Sequence, residues 1–450
     1  MDMDEHTTPT DDGAPSSVGV VCSSMSIAPP PGGIRPRWLR SMDRDRGEGG
    51  VHTIARLAPG ADRVPLIARS PPVLASSNGR SLSEGSLVDR NQPATGAVRT
   101  VLGPMAPEDL GVVMPHEHIF ARFEIWACPP ETVVEEAFWE APVTIENVGK
   151  VRRRTWSNRA NMRIDDPVVA VKELERYVAA GGRTIVEVTP PALGRDARQL
   201  RRVARLTGLN IVCGTSFYVS PAHPDWVSEA SVEDVGRFLL RELTEGIDGT
   251  DICAGVLGEI GTSDPIHEDE KKCLRAAAWA QRRTGAPIEV HMAETNTLGN
   301  EVLDILEPEG ADLSRVIICH MDARNIDLDY HRAIVRRGAR IEYDFFGVPW
   351  TNDDVRDREQ GERFWPPPPS DLQRVEAIAT LIGEGYRDQI LLSQDTATKA
   401  QLVAFGGWGY AHILENIVPL LRWHGVSVDD EEALLQRNPQ RMLAWTDPVE

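Results

Sequence analysis

Eight short apolar stretches, each followed by a helical segment, constrain the fold of this chain more than any other feature. The stretches are near-continuous runs of apolar and β-branched residues, and amphipathic segments such as PVVAVKELERYVA separate them. Buried strands that alternate with helices form a parallel sheet covered on its outside, and eight such units make a (β/α)8 TIM barrel. We therefore predict an α/β protein of that architecture. The stretches are GVVMPHEH (111–118), RTIVEVTP (183–190), NIVCGTS (210–216), AGVLGEIG (254–261), PIEVHM (287–292), VIICHM (316–321), ARIEYDFFG (339–347) and QILLSQD (389–395).

A doubly wound open sheet is the alternative arrangement of such units. It would place a glycine-rich phosphate-binding turn directly after an early strand. In GGRTIVEV (181–188) the glycines come before the strand instead. The closed barrel is therefore the favoured prediction.

The N-terminal part of the chain has a different composition. Residues 1–95 are rich in Pro, Gly, Ser and Arg, as in IAPPPGGIRPR, and show no sustained helix or strand period. Such a segment lacks the apolar surface needed to fold by itself. We predict a disordered low-complexity tail over residues 1–95 and a single barrel domain over residues 96–450.

Charge and hydropathy exclude several classes of partner. The formal net charge is -20 over 450 residues, which disfavours binding to nucleic acid or to an anionic membrane surface. The sequence contains no run of 18 apolar residues, its first residues are acidic rather than basic, and its six cysteines form no CxxC pair. These features predict a cytoplasmic protein with reduced thiols and no membrane span.

Polar residues at the ends of the predicted strands carry the functional signal. In GVVMPHEH, His116 and His118 share one face of a strand while Glu117 points to the other. Two imidazoles fixed on one face are a common beginning of a metal site. Strand ends of a barrel converge on the face that carries catalytic residues, so a metal site is predicted there. The other residues at strand ends are Glu259, His291, His320 and Asp395.

The order of these residues and the sequences around them resemble the phosphotriesterase family of the amidohydrolase superfamily. The resemblance rests on GVVMPHEH, the run from GGRTIVEV to GTSFYV, AGVLGEIG, PIEVHMAE, VIICHMD and ILLSQD, and it extends from about Thr100 to NPQRML near the C-terminus. It implies that His116, His118 and Asp395 hold a more buried metal ion, and that His291 and His320 hold a more exposed one. Glu259 would bridge both ions, as in the phosphotriesterase-related subgroup with its GEIG motif.

The resemblance implies a cofactor of two divalent metal ions, for which imidazole and carboxylate ligands favour zinc. A hydroxide shared by the ions would be the nucleophile. Two ions, Glu259, Asp395 and one hydroxide leave a net charge near +1, which suits a neutral small-molecule substrate whose oxygen becomes negative in the transition state. An ester, lactone, amide or phosphotriester in small-molecule catabolism fits this description. We also expect a homodimer.

Two positions depart from the family pattern. A phosphotriesterase is expected to carry a carboxylate three residues after the strand-six histidine and a histidine after the strand-seven Asp, and this chain has Ala323 and Phe345 there. The proton relay of the family is therefore in doubt, and Asp395 becomes the candidate general base. Asp322 could orient His320 or cap the strand end.

The residues that would contact substrate are predicted from their position over the mouth of the barrel. An apolar pocket would be formed there by Tyr218, which follows strand three in SFYVSPAHPDW, and by Phe345 and Trp350, which follow strand seven in DFFGVPW. The remaining histidines after the tail are expected on the surface or in loops. They are His223, His267, His331, His412 and His424.

Two other functions use part of the same pattern. A mononuclear zinc deaminase of the same superfamily combines HxH, a later HxxE, a further His and a final Asp, and Glu294 in HMAE would then be its proton donor. A non-catalytic metal-binding barrel is the second alternative. The number of metal ions per chain would distinguish the three hypotheses: two for the binuclear hydrolase, one for the mononuclear deaminase, and none for the non-enzymatic barrel.

Overall fold

Eight parallel strands form the centre of the molecule in a computed structural model that describes residues 95–293, 297–350 and 368–449. The strands are hydrogen-bonded to one another in the order in which they occur along the chain, and every pairing between them is parallel. The prediction of a disordered tail falls, except for Thr95, outside the described residues. The strands are β1 (Val113–Glu117), β2 (Thr184–Glu187), β3 (Asn210–Thr215), β4 (Val256–Gly261), β5 (Ile288–His291), β6 (Val316–Ile318), β7 (Arg340–Tyr343) and β8 (Ile390–Leu392).

A helix follows each strand and covers the outside of the sheet. Several of these helices begin at a side chain that accepts backbone N–H bonds of the first turn, such as Asp166, Asp196 and Ser231. The predicted (β/α)8 architecture is confirmed. The helices are α1 (Pro167–Ala179), α2 (Ala197–Thr207), α3 (Val232–Thr244), α4 (Glu268–Thr284), α5 (Gly299–Leu306), α6 (Leu328–Arg336), α7 (Asp371–Gly383) and, after a π-helical turn Ile413–Ile417, α8 (Val418–Trp423).

The seam between β1 and β8 closes the barrel largely through one serine side chain. Ser393 Oγ accepts a hydrogen bond from His116 N (3.0 Å) and donates one to His116 O (2.7 Å), and Asp395 N donates to the same carbonyl (3.3 Å). Glu117 Oε1 lies 2.9 Å from Ser393 Oγ, and the Glu117 carboxylate accepts hydrogen bonds from the backbone N–H of Gln394 and Thr396. The first and last strands are thereby joined directly beneath the predicted site.

The opposite end of the barrel is filled by apolar side chains. A hairpin of Val98–Thr100 and Gly103–Met105 precedes the barrel, and helix Asn438–Leu443 follows it. Val98 and Leu443 belong to one buried cluster with Val113, Val186 and Val212 of the strands. Because this end is packed with apolar groups, a polar site has room only at the carboxyl ends of the strands.

The segment between β1 and α1 is the main addition to the barrel. It contains helices Val133–Trp139 and Val148–Arg153 and a short antiparallel ladder of Ala121–Arg122 with Arg163–Ile164. Its residues Phe123, Trp126 and Trp156 reach the cavity at the top of the barrel. Among the helices of the described ranges, none has the length and apolar character needed to cross a membrane.

Two histidines expected on the surface or in loops are buried, so that prediction was wrong for both. His331 lies in α6 with hydrogen-bond contacts to Tyr343 Oη (2.8 Å) and Met321 O (2.9 Å), and burial lowers its pKa to about 4. His412 stacks on Trp408 and contacts Asp371 Oδ2 at 2.8 Å. The interior accommodates both rings because these contacts satisfy ring nitrogens and, at His412, also cover a ring face.

Candidate metal centre and active site

The structure brings the six predicted ligands together at the carboxyl ends of the strands. His118 Nε2 lies 3.2 Å from Asp395 Oδ1, and His116 Nε2 lies 3.8 Å from the same oxygen. These three side chains can each offer one donor atom within 4.8 Å of the others. His291 Nδ1 and His320 Nε2 approach each other to 2.7 Å on the other side of the site. No ligand side chain is more than 10% exposed.

Glu259 stands between the two groups of histidines. Its Oε1 lies 3.5 Å from His118 Nε2, and its Oε2 lies 3.1 Å from His291 Nδ1 and 3.8 Å from His116 Nε2. One carboxylate therefore lies near His118 with Oε1 and near both His291 and His116 with Oε2. This is the geometry that a shared ligand of two cations requires.

The glycines of GEIG let neighbouring chain segments approach Glu259 closely. A Cβ on Gly258 would lie 2.6 Å from Glu289 Cβ, and one on Gly261 would lie 2.2 Å from the backbone at Tyr218 and Val219. Any larger residue would push β4 away from β5 or from the loop after β3. The motif thus fixes the position of the carboxylate by close backbone packing.

Two of the ligands occupy an unusual backbone conformation. His320 has φ +58° and Asp395 has φ +46°, a left-handed region that non-glycine residues seldom occupy. Both lie just beyond strands β6 and β8, where the chain turns back toward the helices. Strain of this kind concentrates at functional sites, where the surrounding contacts hold it in place.

Three of the histidine rings use one nitrogen to contact a residue outside the ligand set, which leaves the other nitrogen turned toward the site. His116 Nδ1 lies 2.7 Å from Glu289 Oε1, and His320 Nδ1 lies 3.0 Å from Asp344 Oδ1. His118 Nδ1 contacts Thr189 Oγ1 at 2.8 Å, and that hydroxyl donates to Glu187. Such partners fix the tautomer and orientation of a metal-binding imidazole.

Sequence reasoning missed these supporting carboxylates and also Glu342, whose Oε2 lies 3.8 Å from His116 Nδ1, although a signal for them was present. Glu187 in TIVEV, Glu289 in IEVH and Glu342 in RIEY are charged residues inside otherwise apolar strands. Alternation along a strand sends them into the barrel, where a carboxylate needs a partner. All three are fully buried.

The charges of the site suit a divalent cation. Burial favours neutral Asp395, but the His118 hydrogen bond and the charge of His116 hold its pKa well below the usual range. Burial likewise opposes a charge on His320 and His116, yet nearby carboxylates raise the pKa of His320 to about 10 and, chiefly through Glu289, that of His116 to about 9. Ionised carboxylates surrounded by proton-holding imidazoles mark a place where a cation can displace protons.

Orphaned polar atoms give an independent test of the fit. His116 Nε2 and Glu259 Oε1 are buried and have no hydrogen-bond partner among the described residues. Both atoms face the space between His118 and Asp395. Buried polar atoms need a partner, and nitrogen and carboxylate donors are those that zinc and related ions accept. The residues present therefore fit a divalent metal site.

A cavity of about 330 Å³ opens above the ligands, and His291 and Asp395 form part of its floor. Tyr218, Phe345 and Trp350, which the sequence predicted to contact substrate, lie in its wall, and each is less than 5% exposed. Tyr218 Oη also lies 3.3 Å from His291 Nε2. Sequence reasoning did not identify the wall residues from the long segment after β1, which are Phe123, Trp126, Cys128 and Trp156.

The two positions that depart from the family pattern are buried near the site. Ala323 and Phe345 are each 3% exposed, and the Phe345 ring packs edge-on against His320. Asp322 accepts hydrogen bonds from the backbone N–H of Asp344 and Phe345 and pairs with Arg374. Asp322 therefore caps the end of β7, and the carboxylate that contacts His320 is Asp344.

We expect Asp344→Asn to weaken metal binding by roughly 10- to 100-fold, because the amide cannot hold the His320 imidazole as the carboxylate does. Competition with a chromogenic chelator measures the affinity. Asp371→Asn is the matched control, since Asp371 holds a histidine, His412, that lies outside the ligand set. Equal affinities of the Asp344 variant and the unmodified protein would contradict the assignment of this contact.

Comparison with known proteins agrees with this geometry. The model of the phosphotriesterase family matches residues 96–443. The N-acetyltaurine hydrolase of Xenopus tropicalis is 36% identical over 352 residues, which cover 78% of this chain and 99% of that protein, and the human enzyme of that name is 33% identical with the same coverage. The crystal structure of a resiniferatoxin-binding protein from Rhodobacter sphaeroides is 36% identical and superimposes with a TM-score of 0.74, covering 82% of this chain and 99% of that one. A lactonase from Listeria monocytogenes is 26% identical with a TM-score of 0.61, covering 78% of this chain and all of that one.

These matches extend over the whole barrel and include its ligand-bearing strands. The chain belongs to the phosphotriesterase family of the amidohydrolase superfamily. It is a hydrolase.

Proposed function

We propose that this chain is a binuclear, zinc-dependent hydrolase that cleaves the amide bond of a small N-acyl compound. The observation that carries the binuclear assignment is the position of Glu259, whose two oxygens face His118 and His291 from opposite sides of the site. The amide assignment is supported by the relatives named as N-acetyltaurine hydrolases, which match nearly their whole length.

In this proposal His116, His118 and Asp395 hold one ion, His291 and His320 hold the other, and Glu259 is shared. Divalent ions held there would supply Lewis-acid polarisation of the scissile carbonyl and a water whose pKa is lowered to roughly 7. Every ligand is buried, and the low local dielectric constant of such surroundings strengthens each electrostatic interaction there.

Asp395 is the proposed general base and acid. It contacts His118 and also lies in the floor of the cavity, so one carboxylate can reach both the ligand group and the substrate. Hydrolysis joins a water oxygen to the carbonyl carbon and breaks the C–N bond, while the amine leaves with a proton. Asp395 accepts the proton of the attacking water and returns it to the leaving nitrogen.

Esters and lactones would be cleaved by the same geometry, because their carbonyl carbon is attacked in the same way. The lactonase from Listeria monocytogenes is structurally similar to this chain, and a lactone is therefore the second substrate class to test. A phosphotriester demands a tetrahedral centre with three bulky substituents in the cavity of about 330 Å³, and we expect it to be the poorest substrate of the set.

The proposal is tested by stripping the purified full-length protein with a chelator and reloading it with zinc, manganese or cobalt. We expect activity to be lost with the metal and restored by two ions per chain, independently of bicarbonate. A lysine bridge would first have to react with CO2, whereas glutamate is already ionised at neutral pH because its unperturbed pKa is near 4.3. The reloaded protein is then assayed with N-acyl amino acids, N-acetyltaurine, lactones, aryl esters and a phosphotriester.

The highest kcat/KM is expected for one of the amides. Faster turnover of lactones than of every amide would overturn the amide assignment while leaving the metal centre intact. One ion per chain, with ammonia released from an amino-substituted heterocycle, would instead favour the mononuclear deaminase. Glu294, the proton donor of that alternative, lies outside the described residues.

A further inference from the structure

One basic side chain stands in the wall of the cavity and is not accounted for by metal binding. Arg324 lines the cavity together with His291, Phe345 and Asp395. It follows the ligand His320 by four residues and is partly buried. Among the described lining residues it is the one lysine or arginine, and Asp264, the other charged residue besides Asp395, is exposed to solvent.

The backbone that carries Arg324 is fixed by the core of the barrel. Ala323 N donates to His320 O (3.2 Å), which closes a tight turn directly after the ligand. Asp322, within this turn, is buried, accepts two backbone N–H groups at the end of β7 and pairs with Arg374. The backbone of Arg324 is therefore held in a rigid part of the site, which fixes the point from which its side chain enters the cavity wall.

The surroundings make a guanidinium at this place an effective anion-binding group. The cavity wall contains several aromatic side chains, among them Phe123, Trp126 and Phe345, and the rings of Trp156 and Trp350 pack against each other with centroids 5.4 Å apart. An apolar wall lowers the local dielectric constant and strengthens a pairing between opposite charges. A guanidinium also presents two parallel N–H groups to a carboxylate or sulfonate.

We infer that Arg324 determines specificity by binding an acidic group of the substrate, which makes the substrate an N-acyl amino acid or N-acyl aminosulfonate. This inference rests on the proposed amide hydrolysis. The acyl carbonyl would lie over the ligands, and the acidic group of the amine half would pair with Arg324. The metal centre alone suits a neutral substrate, but a guanidinium in the cavity wall favours a substrate that carries a negative charge. The aromatic wall leaves space for an apolar side chain on the amine half.

The experiment compares an acidic substrate with its neutral amide and adds a sulfonate substrate. N-acetylphenylalanine, its neutral amide N-acetylphenylalaninamide and N-acetyltaurine are assayed with the zinc-loaded full-length protein and with Arg324→Met and Arg324→Lys. Methionine keeps the length of the side chain without charge, and lysine keeps the charge without the planar fork. Arg198→Met, an exposed arginine on α2, is the control, and the metal content of each protein is measured alongside.

We expect Arg324→Met to lower kcat/KM for the acidic substrates by about 10- to 100-fold, the range of a hydrogen bond to a charged group. The loss should appear mainly as a higher KM. The neutral amide should change less than about threefold, since it never made the charged contact. With the acidic substrates, kcat/KM of Arg324→Lys should lie between that of the unmodified protein and that of Arg324→Met. Arg198→Met should match the unmodified protein with every substrate.

Equal losses for acidic and neutral substrates in Arg324→Met, with full metal content, would overturn the inference and give Arg324 a general structural role. An unchanged kcat/KM for all substrates would also overturn it. If the unmodified protein cleaves no amide, the proposed function fails, and phenyl acetate is then compared with 4-carboxyphenyl acetate. A selective loss with the carboxylated ester would still support Arg324 as the anion-binding residue, and the absence of such a loss would exclude it.

Discussion

Glu259→Gln will leave at most one tightly bound divalent ion per chain. It will lower kcat/KM by more than ~100-fold, which is a larger loss than replacing a residue that only hydrogen-bonds to a metal ligand usually causes. Glutamine keeps the shape of the side chain but not its charge. Two dications about 4 Å apart repel each other by on the order of 16 kcal/mol at an effective dielectric constant of 20, and a shared anion is needed to offset this. Elemental analysis after dialysis gives the number of ions.

The matched control for this substitution is Glu173→Gln. Glu173 is also a buried glutamate, but it accepts the backbone N–H groups of Val403 and Ala404 away from the ligands. Its replacement should leave two ions per chain, and a thermal melt of each variant will show that it is folded. Two ions held with unchanged affinity by the Glu259 variant would show that this residue is not the bridge.

Asp395→Asn will lower kcat by roughly 10²- to 10⁴-fold if the variant retains both ions, which is the range for loss of a general base. The structure offers this carboxylate both to His118 and to the cavity. The alternative acid near β6, Asp322, is occupied by Arg374 and by two backbone N–H groups. Steady-state kinetics at matched metal content measure the effect.

Asp165→Asn serves as the control for Asp395, because Asp165 pairs with the exposed Arg122 outside the site. Its kcat should equal that of the unmodified protein. A variant of Asp395 that holds two ions and turns over at a near-normal rate would exclude Asp395 as the base. If instead the variant loses metal, reloading at higher zinc concentration separates the role as ligand from the role as base.

The barrel and the convergence of the six candidate ligands could be predicted from the sequence because both depend on short-range patterns. Each strand is a continuous apolar run, and each ligand lies at or just after the end of such a run, as His116 does in β1 and His291 in β5. Convergence of strand ends is a property of the architecture. It places His116 near Asp395 without any knowledge of side-chain packing.

The walls of the cavity could not be predicted in the same way. Trp126 and Trp156 come from a segment of short helices and turns whose path depends on packing against the barrel. No period along the chain shows which aromatic side chain of such a segment faces inward. Arg324 was overlooked for a related reason, since its place in the cavity follows from the turn that Asp322 and Arg374 hold.

The errors at His331 and His412 have a different cause. A histidine outside a strand end is expected on the surface or in a loop. Both rings nevertheless find partners inside the protein, at Tyr343 and Met321 for His331 and at Asp371 for His412. Burial of a polar group is acceptable wherever its hydrogen bonds are satisfied. Those partners are distant enough in the chain that only the tertiary structure brings them together.

The seam between β1 and β8 has a consequence for the order in which the protein is made. His116 and Ser393 are separated by 277 positions in the sequence, and the ligand group that includes His116 and His118 is completed by Asp395, which lies beside that serine. During synthesis the ribosome adds the two histidines, and they leave its exit tunnel, long before it adds the aspartate. The growing chain therefore cannot assemble this group until nearly all of the barrel has emerged, so the energy of metal binding is available only to the finished, closed barrel.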